Sequence, residues 1–513
     1  MGVWPATIVG VGLLTWLVAG RTPWQAAGLG VMAGLAMNLL TIHWIGVLGI
    51  PVAIALVTFM SLWTALLSVM VSQVTRLGWW VLWVPCSWVA VELAAGRIPF
   101  GGFPWLRLAF TTVDQPVSGW LPWVGATGVT FLLALIAQLG LLAVGERRNR
   151  VRAIAVALAV IVVGGSLKQL PQATPEQQVT VGVVQGNVNR YLHGTSSYAQ
   201  SVTDNMLSEP IFLLASNRAG GVAPPLDFVL WPENATDVDP LVEPETRRLV
   251  ETAVALTGAP IFVGAVMEGP DPETTRQTAG IWWHPETGPG DRYNKRNLVP
   301  FGEYIPFRDY LLPRLPVLDQ IGRQSIPGTE PGVVAAPTAA YGNLQVGDII
   351  CFELAWDDSV YDTVRGGADI IVSQSNTNTY GGTFEVPQQL VLNRIRAMEL
   401  GREVVVSTLN SVSGMVDTSG TFRESTEEFT AANRTFTVPL RTNVTLAVIL
   451  SPWLGWTLAL LGVGAALVGG ARVRRSGQRH EATSADQNSG SHEDLMNSGF
   501  EVCPAEDSHL VSN

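Results

Sequence analysis

Residues 345–353 read QVGDIICFE, an apolar strand-like run that ends on a thiol, Cys351, with a carboxylate, Glu353, two positions on. Similar β-rich runs recur at 179–184 (VTVGVV), 227–231 (DFVLW), 260–265 (PIFVGA), 369–373 (DIIVS) and 403–408 (EVVVST), with helical patterns at 198–216, 243–257 and 386–401 between them. Strands alternating with helices predict a layered α/β fold whose strands are mostly buried. Sites in such folds gather at the C-terminal ends of strands. Three ends here deliver a reactive group: FVLW leads into Pro232-Glu233-Asn234, the aromatic run IWW and a turn into Tyr293-Asn294-Lys295, and VGDII into Cys351-Phe352-Glu353.

A carboxylate, an amine and a thiol form a self-sufficient set for acyl transfer. The thiol is a nucleophile once ionised, the carboxylate accepts its proton, and the ammonium stabilises the oxyanion of a tetrahedral intermediate. Each residue also has a plainer reading. Cys351 fits a small inert hydrophobe, Glu233 a charge at a helix N-terminus, and Lys295 a solvated loop residue. Lysine usage favours chemistry at Lys295, because only Lys168 and Lys295 are lysines among 31 basic residues. Codon composition explains the arginines, but a compact ammonium is not replaceable by a planar guanidinium. Lys168, at the end of an apolar stretch, reads as an interfacial, snorkelling lysine.

Other chemistries lack support. Cys86, Cys351 and Cys503 are too few and scattered for a disulfide framework or a cysteine-based zinc site. His193 and His284 stand in no metal-ligand spacing, and no phosphate-cradling G-x-x-x-x-G-K-[ST] run occurs. No metal and no cofactor is expected. A net charge of −11 makes nucleic acid an unsuitable partner.

Working outward, the α/β segment is enclosed by hydrocarbon. The chain is 48% hydrophobic and only 14% charged, against roughly 25% charged in soluble domains. Residues 22–75 and 442–471 carry no Asp, Glu, Lys or Arg, whereas 168–441 carry 19 basic and 32 acidic residues, a net −13. Spans are predicted at 5–20, 24–46, 51–74, 79–96, 122–144, 153–170 and 444–470, with glycine serving helix packing and turns. The basic clusters ERRNRVR (146–152) and ARVRRSGQR (471–479) place both of those ends in the cytoplasm and the domain between them on the opposite face. The expected organisation is a bundle of about six spans over 1–170, a catalytic domain over 171–443, a last transmembrane helix over 444–471 and a disordered cytoplasmic tail over 472–513. The stretch 98–118, IPFGGFPWLRLAFTTVDQPVS, reads as a loop with an interface-anchoring tryptophan or as a re-entrant element, and its composition favours the loop.

These residues resemble the apolipoprotein N-acyltransferase family, bacterial lipoprotein-maturation enzymes whose extracytoplasmic domain belongs to the nitrilase superfamily. The matching strings are GGFPWLRLA (101–109), VVQGN (183–187), WPEN (231–234), YNKRNLVPFGEYIP (293–306), ICFE (350–353) and the run RIRAMELGREVV (394–405). The resemblance implies a multi-pass α-helical membrane bundle plus an extracytoplasmic nitrilase-like αββα sandwich. It implies a ping-pong reaction in which Cys351 takes an acyl chain from a phosphatidylethanolamine-like phospholipid, typically the sn-1 chain. The thioester then acylates the α-amine of a diacylglyceryl-cysteine apolipoprotein. Glu233 would be the general base and Lys295 the oxyanion partner, with Glu303 and Glu353 as supporting carboxylates and Phe352, Tyr380 and Trp105 as candidates for contacting substrate. The rival expectation is a membrane-tethered nitrilase-like amidase that hydrolyses an amide or ester; a non-catalytic receptor or transport component keeping the fold is the other.

The sequence departs from the family pattern in places. The family usually has a further span ahead of the segment matching 5–20; with the domain side fixed by the arginine clusters, seven candidate spans put the N-terminus on the domain's side, and either the true start lies upstream or this branch dispenses with one helix. Phe352 stands where a tyrosine is usual, SQSNTNTYGG (373–382) replaces the usual Ser-Asn-Asp stretch, and Tyr191-Leu192-His193 follows the QGN motif in place of Lys-Trp. These changes concern loops and headgroup contacts, not the three strand-end groups.

Overall fold

Apolar helices make up the N-terminal part: α1 (Trp4–Val18), α2 (Pro23–Thr41), α3 (Ile50–Val74), α4 (Trp80–Ala95), α5 (Leu121–Gly145) and α6 (Arg150–Lys168). The computed structural model describes residues 4–170, 175, 177–188, 196–221, 225–336, 344–473 and 475. Small residues let α2 and α3 meet backbone to backbone. A Cβ on Gly30 would sit 2.6 Å from Ser68 Oγ, and one on Gly34 2.8 Å from Ser61 Cα, the close packing that glycine permits between membrane helices.

Two sheets follow. The first pairs β1 (Gln178–Gln185), β2 (Phe228–Leu230), β3 (Ile261–Glu268), β4 (Thr275–His284) and β5 (Gly288–Asn294) in sequence order, with β6 (Gln324–Ser325) beside β4. The second runs from β7 (Val333–Ala336) through β8 (Leu344–Ile350), β9 (Ile370–Ser375), β10 (Val404–Thr408) and β11 (Gly414–Val416) to β12 (Phe422–Arg423). The chain then returns to the first sheet as β13 (Ala432–Pro439), antiparallel to β1 from Gln178↔Pro439 to Gln185↔Ala432.

The strands bury both faces, as their unbroken apolar runs require. Val181, Val183, Phe228, Phe262, Val346, Ile350, Ile370, Val372 and Val405 form one core between the sheets. The alternate residues face helices. Val229, Trp231, Val263 and Trp283 pack under α7 (Ser196–Leu207), α8 (Glu209–Ala219) and α9 (Pro244–Thr257). Ile349, Ile371, Val404 and Val406 pack against α11 (Asp357–Arg365) and α12 (Glu385–Leu400), numbered after the single turn α10 (Arg308–Leu311). The order of layers is helix, sheet, sheet, helix. The stretch 198–216, predicted as one helix, is two, because Ser208 turns extended and Pro210 starts a new helix.

The expected span 444–470 is also interrupted. α13 (Leu446–Leu450) stops at Ser451-Pro452, and α14 (Trp453–Val473) continues, since proline lacks the N–H that a helix interior needs. Among the described residues four helices are long and apolar enough to cross a membrane: Ile50–Val74, Pro116–Gly145, Arg150–Lys168 and Trp453–Val473. The 15 residues of α1 give about 22 Å, short of a roughly 30 Å hydrocarbon core. The other departure is α2, which ends at Thr41 and gives way to a short 3₁₀ stretch, His43–Leu48.

The helical layer of α11 and α12 has no solvent face toward the bundle. Trp105, Ala109, Phe110, Leu121, Ala126 and Leu133 share one apolar core with Val360, Val364, Leu392 and Ile395. Charges cross the same junction. Asp357 Oδ1 accepts from Arg107 Nη1 at 2.6 Å and from Arg396 Nη2 at 2.9 Å, and Arg396 also pairs with Glu399. Helix α5 opens at Gly125 (φ 66, ψ 178), which frees the Ala126 N–H to donate to Glu399 Oε1 at 2.5 Å. Glycine is required there, since a Cβ would lie 2.7 Å from the Tyr361 hydroxyl oxygen.

Arg396 is fully buried, with further bonds to the carbonyls of Leu354 (2.8 Å) and Ala355 (3.1 Å). Removing it leaves buried Glu399 without its cation and Asp357 with Arg107 alone, a loss of about 3–5 kcal/mol. Arg394, two residues earlier, pairs with the exposed Asp114 and donates from Nε to the Gly420 carbonyl at 2.6 Å, contacts that together contribute about 1–2 kcal/mol. Thermal unfolding of detergent-solubilised Arg396→Leu should therefore show a large loss and Arg394→Leu a small one. Equal losses would refute the junction as a stability determinant.

Candidate active site

The three strand ends converge. Glu233 lies three residues beyond β2, Lys295 directly after β5, and Cys351 directly after β8. Lys295 is 2% exposed, so the solvated-loop reading fails. Its Nζ lies 2.9 Å from Glu233 Oε1 and 3.0 Å from Glu303 Oε1. Each carboxylate is held from behind: Asn376 N donates to Glu233 Oε2 at 2.8 Å, and Val299 N to Glu303 Oε2 at 2.7 Å. Glu233 is a loop residue rather than a helix cap.

Cys351 sits at φ 54, a left-handed backbone that a non-glycine residue holds only at some cost in strain. The chain turns there from β8 into a short 3₁₀ stretch, Cys351–Ala355. Glu353 braces this turn. Its Oε2 accepts from Ile350 N at 2.9 Å, while its Oε1 accepts from the Tyr293 hydroxyl at 2.8 Å and from Arg296 N and Asn297 N at 2.8 and 2.9 Å. Glu353 thus ties the Cys351 turn to the Lys295 loop. Gln389 of α12 donates to Ser375 Oγ at 3.2 Å and reaches Cys351 Sγ at 3.7 Å.

Burial and charge set the protonation states. Burial disfavours the Lys295 ammonium, but Glu233, Glu303 and Cys351 outweigh it and hold the amine well above its ordinary range. Burial, then the Glu233 carboxylate, pushes the Cys351 thiol well above its usual value, with Lys295 opposing. The resting pair is a neutral thiol beside a charged lysine. Burial also drives Asp348 of β8 well upward, with Glu353 and Glu233 adding to it. Neither Asp348 oxygen has a hydrogen-bond partner among the described residues, as befits an uncharged acid. Among those residues no group of three or more His, Cys, Asp or Glu is placed to hold a metal ion.

Beside the nucleophile stands an aromatic wall. Trp105 stacks on Phe352 with centroids 5.2 Å apart, Trp44 lies 5.8 Å from Trp105, and Tyr380 meets Trp44 edge-on at 5.3 Å. Gln388 Oε1 accepts from both indoles, at 3.1 Å from Trp44 and 2.6 Å from Trp105, while its amide donates to Thr41 O at 2.7 Å. The loop reading of 98–118 therefore needs correction at its tryptophan: Trp105 is 4% exposed and part of the wall, not an interfacial anchor. Sequence reasoning missed Trp44, one apolar residue among many in a span, and Gln388 and Gln389, which carry no motif. Asp348 did leave a signal, a charge inside an apolar β-run. Tyr191-Leu192-His193 and the tail from 476 lie outside the described residues.

Residues 1–139 match the profile of the apolipoprotein N-acyltransferase N-terminal domain, and 222–429 that of carbon-nitrogen hydrolases. Apolipoprotein N-acyltransferase of Mycolicibacterium smegmatis is 31% identical over 494 residues, covering 91% of this chain and 82% of that protein. The enzyme of the same name from Vibrio parahaemolyticus is 24% identical, covering 88% and 93%. That of Haemophilus influenzae is 26% identical, covering 68% and 67%. Bundle and hydrolase-like domain together match one and the same kind of protein, and the chain belongs to the apolipoprotein N-acyltransferase family.

Proposed function

We propose that this acyltransferase of lipoprotein maturation works by ping-pong chemistry at Cys351, with a phosphatidylethanolamine-like phospholipid as donor and a diacylglyceryl-cysteine apolipoprotein as acceptor. In the first half-reaction the thiol attacks the ester carbonyl while Glu233 takes its proton. Lys295 faces the developing oxyanion. The C–O bond breaks, Glu233 returns the proton to the leaving lysophospholipid oxygen, and a thioester remains. In the second, the acceptor's α-amine attacks the thioester, the C–S bond breaks, and an amide and the free thiol result.

The observation that carries this reading is the continuity of hydrocarbon from the bundle to the nucleophile. Trp105, Phe352 and Val360 belong to the same apolar core as Leu121 and Leu133 of the bundle, so the surroundings of Cys351 are continuous with the apolar helices that a lipid substrate would approach. The thioester stores acyl activation, so the two lipid substrates need not be bound together. Lysine suits the space between two carboxylates; a planar guanidinium needs more room and a different bonding pattern.

The domain is proposed to be extracytoplasmic, on a multi-pass protein of the bacterial inner membrane, with 1–170 as the bundle, 171–443 as the catalytic domain, 444–471 as the last membrane segment and the 472–513 tail in the cytoplasm. Supporting this, Arg147 and Arg148 lie between α5 and α6, and Arg472 and Arg475 lie at the end of α14. Each is one helix length removed from the domain, as the positive-inside rule requires. In intact cells an impermeant maleimide should label Glu251→Cys, on the exposed face of α9, and should reach Arg148→Cys only after lysis. The reverse pattern would invert the topology.

Intact mass spectrometry of full-length protein incubated with phosphatidylethanolamine should show an acyl adduct on the wild type and none on Cys351→Ala. Lys295→Arg should lower the rate of adduct formation by about 10²-fold or more. Folded wild-type protein that never acquires an adduct would sink the mechanism. An adduct discharged as fast by water as by acceptor would replace it with hydrolysis.

A further inference from the structure

An acceptor amine that arrives protonated must lose two protons to become an amide. On the ping-pong reading above, one passes through Glu233 to sulfur and restores the thiol as the N–C bond forms and the C–S bond breaks. The second has no place on Glu233. The first half-reaction has no such surplus, because the thiol's proton leaves with the lysophospholipid. An α-amine with a pKa near ~8 is about nine-tenths protonated at pH 7, so a further base is needed for the second half-reaction alone.

We propose that Glu385 is that base: it binds the incoming α-ammonium beside Cys351, takes its first proton, and releases it to solvent when the amide product leaves. Glu385 opens α12, is 4% exposed, and its Oε2 has no hydrogen-bond partner among the described residues. Four residues on, and so on the same face of the helix, Gln389 reaches Cys351 Sγ at 3.7 Å. The Glu385 charge acts on both the Cys351 thiol and the Tyr380 hydroxyl. A buried carboxyl oxygen left unpaired is costly, and a cationic ligand supplies the missing partner.

The groups facing Glu385 are Cys351, Tyr380 and Glu428, the last held by Gly382 N at 2.8 Å. Burial, and then the Glu428 charge, push the Glu385 carboxyl up to about 8. At pH 7 the resting carboxyl is therefore mostly protonated; the incoming ammonium, a charge of opposite sign, lowers it and displaces that proton to solvent, and the carboxylate so formed takes the ammonium's proton as the amine attacks.

The test separates the half-reactions in the full-length protein. Dioleoyl phosphatidylethanolamine vesicles load Cys351, and a synthetic S-diacylglyceryl-cysteine peptide with a free α-amine discharges it, each step followed by intact mass. Glu385→Gln should still form the adduct. Its discharge should be about tenfold slower than wild type at pH 7, where only about a tenth of the amine is neutral. The deficit should close to within about twofold at pH 9.5, where the amine needs no base. Glu428→Gln, which removes a like charge, should move the acid limb of the discharge profile to lower pH. Wild-type discharge by Glu385→Gln at pH 7, a deficit that persists at pH 9.5, loss of the adduct, or an unmoved limb in Glu428→Gln would each overturn the assignment. A wild type that forms no adduct overturns the thioester reading itself, and this assignment with it.

Discussion

One helix, α12, carries both the bond between bundle and domain and the surroundings of the nucleophile. At its C-terminal end Arg396 and Glu399 lie buried against Asp357, Arg107 and the Ala126 N–H. Ions taken out of water lose several kcal/mol each in solvation, so such a cluster persists only where every member is matched. The match fixes α12 against the broken α5. At its N-terminal end the same helix places Gln388 on the two indoles and Gln389 on Cys351 Sγ. The thiol is therefore registered to the membrane helices through a rigid rod about 24 Å long, 16 residues at 1.5 Å each.

The reacting groups obey a second constraint, an excess of acid around one ammonium. Glu233 and Glu303 both contact Lys295, and Glu353 and Asp348 lie just behind. Four carboxyls with one cation cannot all ionise in a buried site. Asp348 yields by staying protonated, because burial disfavours its charge and no donor among the described residues reaches it, while four donors reach Glu353. Burial, with the same excess added, keeps the thiol neutral until substrate arrives. A resting thiolate beside membrane lipids would be open to oxidation, whereas a thiol deprotonated only as it attacks is reactive on demand.

Much of this was legible in the sequence, and the illegible parts share a cause. The six β-runs became β1, β2, β3, β8, β9 and β10, because buried strands must be apolar whatever they pair with. Glu233, Lys295 and Cys351 could be singled out because strand ends concentrate reactive groups. The strands β5, β6, β7, β11, β12 and β13 were not visible: β5 and β13 are mostly exposed or half-buried, and β6, β7, β11 and β12 run for only two to four residues, too short to show an apolar period. Trp105 was misread because an aromatic near a membrane has the same composition whether it anchors to lipid or packs on Phe352. Gln388 and Trp44 owe their roles to contacts over hundreds of residues, and Gln389 to one over 38, which no local pattern encodes.

The return of the chain as β13 explains how the domain stays seated. Residues 178 and 439 are register partners, so the incoming and outgoing segments leave one edge of the first sheet side by side. α6 precedes that edge and α13 and α14 follow it. Two tethers at a single edge fix that edge alone. The charge cluster and the Gln388 contact lie on α12, in the helical layer outside the second sheet, and so join domain to bundle a second time, away from that edge. On the proposed ping-pong chemistry one thioester meets two lipid substrates in turn, and the α12 contacts hold its nucleophile in one place relative to the bundle for both. The buried Arg396, expensive in solvation, belongs to that second attachment.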